Sequence, residues 1–132
     1  MRTRKVIVLA IKPEYAKKIY EGKKNWEFRK KAPPIYEEIF IYESAPVSAI
    51  TGKIVFSTAI TGWVLDVWDL VVKNQRFTRN LPGISIYKLQ DYSKGKLVTA
   101  LRVFKAEKFD SPEPFPLNPP QNWGRYSIEE AK

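Results

Sequence analysis

The sequence contains neither cysteine nor histidine among its 132 residues. The missing cysteine excludes disulfides, thiol nucleophiles and thiolate ligands, and the missing histidine excludes imidazole bases and imidazole metal ligands. Zinc sites of the cysteine and histidine types and histidine-based catalytic triads are therefore ruled out. Any catalysis would have to use lysine, arginine, a carboxylate or a hydroxyl group, and the sequence suggests neither a metal nor a cofactor.

Long apolar runs are missing as well. No stretch approaches the roughly 20 residues that a membrane-spanning helix needs. The N-terminus is basic and then apolar, as in a signal peptide, but Lys12 and Pro13 end the apolar run early and no small-residue cleavage site follows. We therefore expect a buried first strand, a cytoplasmic location and no membrane partner. The length predicts one domain over residues 1–132.

Positive charge is abundant and unevenly placed. The net charge is +9, and residues 1–31 carry 11 basic and 3 acidic residues, whereas the remaining 101 residues carry 12 and 11. A concentrated basic region in a chain with 14% aromatic residues suits a polyanion, most simply nucleic acid. A surface that is basic only for solubility is the alternative.

The apolar periodicity predicts an α+β fold. Strands are expected over residues 5–11, 24–30, 38–43, 49–60 and 96–109, and helices over residues 13–21, 66–74 and 85–92. Gly22 is expected to end the first helix, Gly52 to mark a bend or a close approach, and a β-bulge to lie near Phe104. The proline-rich residues 111–120 are expected to pack over the body as an extended segment. This order suggests a mixed sheet that closes into a small barrel of five to six strands with short flanking helices.

Several stretches of the chain match the pattern of a known family. Residues 11–22 read Ile-Lys-Pro-Glu-Tyr-Ala-Lys-Lys-Ile-Tyr-Glu-Gly, and residues 22–29 fit Gly-x-Lys-x-x-Glu-x-Arg. Residues 41–52 contain Tyr-x-Ser-x-Pro before a strand with glycine, and residues 119–126 resemble a closing segment. Together they resemble the ASCH (activating signal cointegrator homology) domain family, which belongs to the PUA-like group. The resemblance implies a PUA-like β-barrel, a cleft beside the first helix, and RNA or a modified nucleoside as ligand.

The resemblance also brings enzymatic alternatives. Some members are assigned hydrolysis of an acylated cytidine, and others cleavage of single-stranded RNA. Lys24 resembles the proposed catalytic lysine of the amidohydrolase branch. That branch has threonine in place of Glu27 and a further glutamate in the helical insertion, residues 63–95, where this chain offers Asp66 and Asp69.

Eight residues form the predicted site. The basic ones would bind phosphate, Glu27 would hold a cation or accept from a base edge, and the aromatic ones would stack on bases, as would Trp123. Strand alternation places Lys24 and Glu27 on opposite faces, so a bulge or a site at the start of the strand must reconcile them. The predicted ligand-binding residues are Lys12, Lys24, Trp26, Glu27, Arg29, Tyr42, Ser44 and Arg125.

Simpler interpretations of these residues stay open. Glu27 and Arg29 could form a structural ion pair, Trp26 could be a core residue, and Lys24 could be a solvated lysine that follows a helix cap. Tyr42 and Ser44 could simply shape the turn that follows their strand.

Three functions follow from the sequence. The first is an RNA- or nucleotide-binding domain with a basic cleft, acting in RNA metabolism or in the regulation of transcription or translation. The second is a small hydrolase, a ribonuclease or a nucleoside amidohydrolase, in which Lys24 acts as base or nucleophile and Glu27 shuttles the proton. The third is a regulator that contacts a protein partner through residues 63–92.

Overall fold

The computed structural model describes residues 2–73 and 79–129, which form six strands and three helices. The elements run in the order β1 (Thr3–Ile11), α1 (Pro13–Tyr20), β2 (Trp26–Arg29), β3 (Ile39–Glu43), β4 (Ala49–Gly62), α2 (Val64–Val72), α3 (Ile86–Ser93), β5 (Val98–Glu113) and β6 (Trp123–Glu129). The predicted α+β class is confirmed.

The strands form one mixed sheet in the order β2-β5-β4-β3-β1-β6. Strands β1 and β3 are parallel, and the other neighbours are antiparallel. The expected closed barrel is wrong, because β2 and β6 are the two edges of the sheet in the described part of the chain. Strand β2 has only four residues, and these pair with β5, so no strand among residues 2–73 and 79–129 lies beside its other edge.

Helix α1 begins where its sequence predicts and ends at Tyr20, one residue before the predicted end. Pro13 begins it, where the missing N–H costs nothing, and Gly22 follows its end with a φ of +73°, which glycine adopts without strain. Ala16 and Ile19 are buried against the centre of the sheet, in a cluster that includes Leu9 and Phe56. The helix is thereby fixed beside the C-terminal ends of β1 and β3.

A second apolar cluster lies under the helical insertion. Trp26 and Phe28 of β2 pack there against Val67 of α2 and Leu89 of α3. The predicted helix over residues 66–74 is α2, which lies two residues earlier; residues 74–78 lie outside the described residues. The predicted helix over residues 85–92 is α3, and the Ser85 side chain caps it by accepting a hydrogen bond from the Lys88 amide.

The two long strands show the predicted irregularities. A Cβ at Gly52 would collide with the Glu107 carbonyl oxygen and the Tyr20 hydroxyl, so the expected close approach is confirmed. The β4–β5 register shifts at Phe56, which leaves Phe104 as the extra residue of a bulge, and its side chain is 65% exposed. These features allow β4 and β5 to bend around the core.

Strand β6 was not expected from the sequence. Strand β5 runs to Glu113, and a second edge strand begins at Trp123 and pairs with β1. The alternation was present, since Tyr126 and Ile128 are half-buried while Arg125 is exposed. No helix in the described residues is long and apolar enough to cross a membrane.

Candidate functional site

A cleft of about 1210 Å³ opens beside α1, where the parallel strands β1 and β3 end. Strand β2 forms its floor, α3 forms one wall, and the segment before β6 forms another. Seven basic and three acidic residues line it. The cleft includes six of the eight predicted site residues, namely Lys12, Lys24, Glu27, Arg29, Tyr42 and Ser44.

Glu27 and Arg29 form a buried ion pair on the floor of the cleft. Alternation along β2 sends Trp26 and Phe28 into the second core and turns these two residues to the opposite face. Oε2 of Glu27 accepts hydrogen bonds from Arg29 Nε at 3.0 Å and from Arg29 Nη2 at 2.7 Å. Lys24 Nζ lies 3.5 Å from Oε1 of the same carboxylate. Glu27 therefore holds two cations at once.

The surroundings of Glu27 keep it ionised. Burial acts to raise its pKa, but the charges and hydrogen bonds of Arg29 and Lys24 together outweigh burial and lower the pKa below its ordinary value. A carboxylate in this state accepts hydrogen bonds but has no proton to give at neutral pH. The geometry suits Glu27 to orienting cations and does not favour the expected proton shuttle.

Lys24 precedes β2, so strand alternation does not apply to it and the conflict of faces disappears. Its residue surface is only 2% exposed, and its Nζ donates a hydrogen bond of 2.6 Å to the Pro82 carbonyl. Burial lowers its pKa; Glu27 opposes this shift, and Arg29 and Lys18 add to it. The neutral amine is therefore more populated than in a solvated lysine.

Arg29 reaches from β2 across the open side of the sheet. Its Nη2 donates to the Ala10 carbonyl of β1 at 2.7 Å, and its Nη1 donates to Asn122 Oδ1 at 3.0 Å. The Asn122 amide in turn donates to the Lys31 carbonyl at 3.2 Å. Asn122 was missed among the site residues, although the resemblance of residues 119–126 could have identified it.

The rim of the cleft is made of exposed lysines. None of the five forms an ion pair with a carboxylate in the parts of the chain that the structure describes. Only one of the five was a predicted site residue; two of the others come from the loop after β2 and two from the insertion. The rim lysines are Lys12, Lys30, Lys31, Lys88 and Lys94.

Three tyrosines face the same cleft. Tyr15, Tyr42 and Tyr92 line it and are half-buried. The Tyr92 hydroxyl accepts from the Lys30 amide at 3.0 Å, and the Lys30 ammonium lies 4.9 Å from the Tyr92 ring centroid. Tyr92 was missed because nothing in the sequence places α3 opposite β2.

Two predicted site residues lie elsewhere. Trp26 is fully buried, and its Nε1 donates to Asn80 Oδ1 at 3.2 Å, so the expected stacking on a base is wrong and its core interpretation holds. Arg125 lies on β6 and does not line the cleft, and its Nη1 is 3.8 Å from Glu37 Oε1. Trp123, the other tryptophan expected to stack, is half-buried and does not line the cleft either.

The acidic residues of the insertion bear on the amidohydrolase alternative. Asp66 and Asp69 are exposed on α2 and do not line the cleft, whereas Asp91 of α3, which the sequence analysis did not single out, does. Among the described residues, no group of three or more carboxylates could hold a metal ion.

Comparison with known proteins gives consistent results. Residues 9–112 match the ASCH domain family. An ASCH domain-containing ribonuclease of Zymomonas mobilis is 36% identical over 68 residues, which are 50% of this chain and 46% of that protein. The chain thus matches about half the length of that curated relative.

Solved structures show the same relationship over most of the chain. A crystal structure of ASCH from Zymomonas mobilis is 26% identical, with a TM-score of 0.73, and the match covers 89% of this chain and 85% of that one. A mutant ZmASCH structure from the same organism is 25% identical, with a TM-score of 0.74 and coverage of 92% and 89%. The chain belongs to the ASCH domain family.

Proposed function

We propose that this chain is a PUA-like domain that binds single-stranded RNA in its cleft and acts in RNA metabolism or regulation. The observation that carries the proposal is the rim of five exposed lysines that have no carboxylate partner among the residues that the structure describes, set above a floor that is itself cationic. A chain of phosphates would supply the missing anions. The ribonuclease name of the relative from Zymomonas mobilis supports RNA as the partner class.

The tyrosines favour unpaired bases over a duplex. Bases of a single strand can turn into a concave site and stack on aromatic rings, whereas paired bases in a helix are hidden. Tyr15, Tyr42 and Tyr92 offer three such rings within one cleft. Stacking is worth about 1–3 kcal/mol per base, which is enough to add to a phosphate-dominated affinity.

Salt dependence of binding tests the proposal. If all five rim lysines contact phosphates, log K for single-stranded RNA should fall with log salt at a slope of about −3.5. Fluorescence anisotropy with a labelled oligonucleotide measures this, and a duplex of the same sequence is the control. An affinity that stays flat as salt rises, or that is equal for the duplex, would contradict the proposal.

A ribonuclease activity is the second candidate, and the lowered pKa of Lys24 favours it. The neutral Lys24 amine would take the proton of a ribose 2′-hydroxyl, the 2′-oxygen would attack phosphorus, and the bond to the 5′-oxygen would break as that oxygen gains a proton from water. The products would be a 2′,3′-cyclic phosphate and a 5′-hydroxyl. Arg29 and Glu27 would keep the amine and the neighbouring charges in place.

Incubation with end-labelled single-stranded RNA separates the two candidates. A nuclease should generate cyclic phosphate ends, and Lys24→Ala should abolish them while RNA binding persists. Full activity in Lys24→Ala would rule out this mechanism. Parallel incubation with an acylated cytidine tests the amidohydrolase alternative in the same way.

The expected protein partner of residues 63–92 stays a proposal with one supporting observation. Trp63, Leu65 and Leu70 are each more than half exposed on and beside α2. A pull-down with and without substitutions of these side chains would test it. The cytoplasmic location and the single-domain organisation likewise stay predictions.

A further inference from the structure

Residues 79–83, here called the strap, cross directly over Lys24. The Pro82 carbonyl accepts the hydrogen bond from Lys24 Nζ, and the Gly83 carbonyl accepts one from Lys18 Nζ at 3.1 Å. Gly83 has a φ of +69°, and a Cβ there would overlap the Lys24 side-chain carbons at 2.5–2.7 Å. The strap therefore lies directly against the Lys24 methylenes, and the residue is only 2% exposed.

Asn25 holds the strap in this position. Its main-chain N–H donates to the Leu81 carbonyl at 2.8 Å, and its Oδ1 accepts from the Leu81 N–H at 2.8 Å. Its Nδ2 donates to the Arg79 carbonyl at 3.2 Å. The Asn25 amide thus pairs with the strap as a neighbouring strand would. The Asn80 side chain adds a further bond to Trp26.

We propose that Asn25 is a positioning residue for Lys24: by holding the strap, it keeps the Lys24 amine turned onto the Pro82 carbonyl and shielded from solvent. This deepens the proposed function, because it concerns the amine on which the ribonuclease candidate rests. Nothing in the signature that contains Lys24, Glu27 and Arg29 requires asparagine at position 25. Its role follows from the three hydrogen bonds alone.

The effect of losing the strap on the Lys24 amine depends on the other groups that face it. Glu27 and Arg29 face it from β2, and Lys18 and Tyr15 face it from α1, whereas the strap contributes uncharged carbonyls. Releasing the strap therefore leaves Glu27 and Arg29 in place, frees Lys18 from the Gly83 carbonyl, and lets water reach the amine. Its reactivity toward reagents should rise, and its pKa should move up toward the value of a solvated lysine.

Competitive labelling of the folded, RNA-free protein tests the proposal. Trace acetic anhydride is applied across a pH series, and each lysine is quantified by mass spectrometry, with Lys88 as the exposed internal standard. The plateau of each profile reports accessibility and its midpoint reports the pKa. In Asn25→Ala the Lys24 plateau should rise about 10- to 30-fold, as expected for loss of two side-chain hydrogen bonds, and its midpoint should move up.

Two further variants make the result decisive. Asn118→Ala removes an exposed asparagine and should leave the Lys24 profile unchanged. Gly83→Ala pushes the strap away from Lys24 without touching Asn25 and should reproduce the Asn25→Ala profile, so it decides the matter if Asn25→Ala does not fold. An unchanged Lys24 profile in either folded variant would overturn the proposal. Because no RNA is present, such a failure leaves RNA binding to be judged separately.

Discussion

The floor and the rim of the cleft carry the same kinds of charge in opposite states. On the floor, Lys24 and Glu27 are buried and Arg29 is mostly so, and the Glu27 carboxylate lies 2.7 Å from Arg29 Nη2 and 3.5 Å from Lys24 Nζ. On the rim, five lysines stand in solvent without ion-pair partners among the described residues. Buried charges depend on each other for stability, whereas exposed ones contribute little to it. The floor therefore contributes to the stability of the fold, whereas the rim contributes little to it and is free to serve a ligand.

The largest effect on stability is expected when the carboxylate of Glu27 is removed from the floor. Glu27→Gln leaves two buried cations without their anion, so we expect a loss of about 3–5 kcal/mol in the free energy of unfolding. Urea denaturation measures it. The control is Glu38→Gln, which breaks the surface pairs of that carboxylate with Lys53 at 3.1 Å and with Arg4 at 3.6 Å and should cost less than about 1 kcal/mol. Equal losses in the two variants would show that the buried carboxylate contributes no more to stability than an exposed one.

Acid should reduce the difference in stability between the wild type and Glu27→Gln. The pKa of Glu27 in the folded protein lies below its ordinary value of 4.5, so its stabilising effect is complete above that value and is lost as the pH falls through the lower, folded pKa. The stability gap between the wild type and Glu27→Gln should therefore be constant near neutral pH and shrink in acid. Urea titrations at several pH values check this, and a gap that grows on acidification would contradict the stated environment of Glu27.

The rim should respond in the opposite manner, with binding affected and stability unchanged. Reversing charge in Lys88→Glu/Lys94→Glu should weaken RNA binding by at least about tenfold and flatten the salt slope by about 1.4, because two phosphate contacts are lost. The free energy of unfolding should move by no more than about 0.5 kcal/mol.

The matched control for the rim is Lys105→Glu/Lys108→Glu, two exposed lysines on β5 outside the cleft. It makes the same change in net charge at a different place. Equal loss of RNA affinity in both double variants would show that total charge, and not the cleft, governs binding.

The smallest effect is expected at Arg125. It was predicted as a ligand-binding residue but lies outside the cleft, so Arg125→Ala should leave RNA affinity within about twofold. Anisotropy titrations beside Lys88→Ala would show it. A larger loss in Arg125→Ala than in Lys88→Ala would extend the binding surface onto β6.

Local patterns predicted most of the elements but not the closure of the sheet. Pro13, Gly22 and the alternation of β4 act within a few residues, so the sequence shows them directly. Whether β2 meets β6 depends on how far the whole sheet coils, and no short pattern encodes that angle. Strand β6 was overlooked because the prolines before it suggested an extended covering segment.

The site residues show the same division between what local sequence predicts and what long-range packing decides. Glu27 and Arg29 could be found from a motif because two residues of one strand face share an environment. Trp26 was misassigned because its burial depends on α2 and α3, which come from a distant part of the chain. Lys88, Lys94 and Tyr92 were missed for the same reason, since their approach to β2 is set by the packing of the insertion.

The Arg29 bridge has a consequence for how this cleft could vary between relatives. Along the rest of the sheet, the spacing of strands is set by backbone hydrogen bonds and cannot be adjusted residue by residue. Between the edge strand β2 and the end of β1, no strand pairing sets the distance, and the Arg29 side chain and the Asn122 amide span the space instead. The width of the cleft is therefore set by the lengths of these two side chains. Shorter or longer side chains at the two positions could change that width while every strand stays in register.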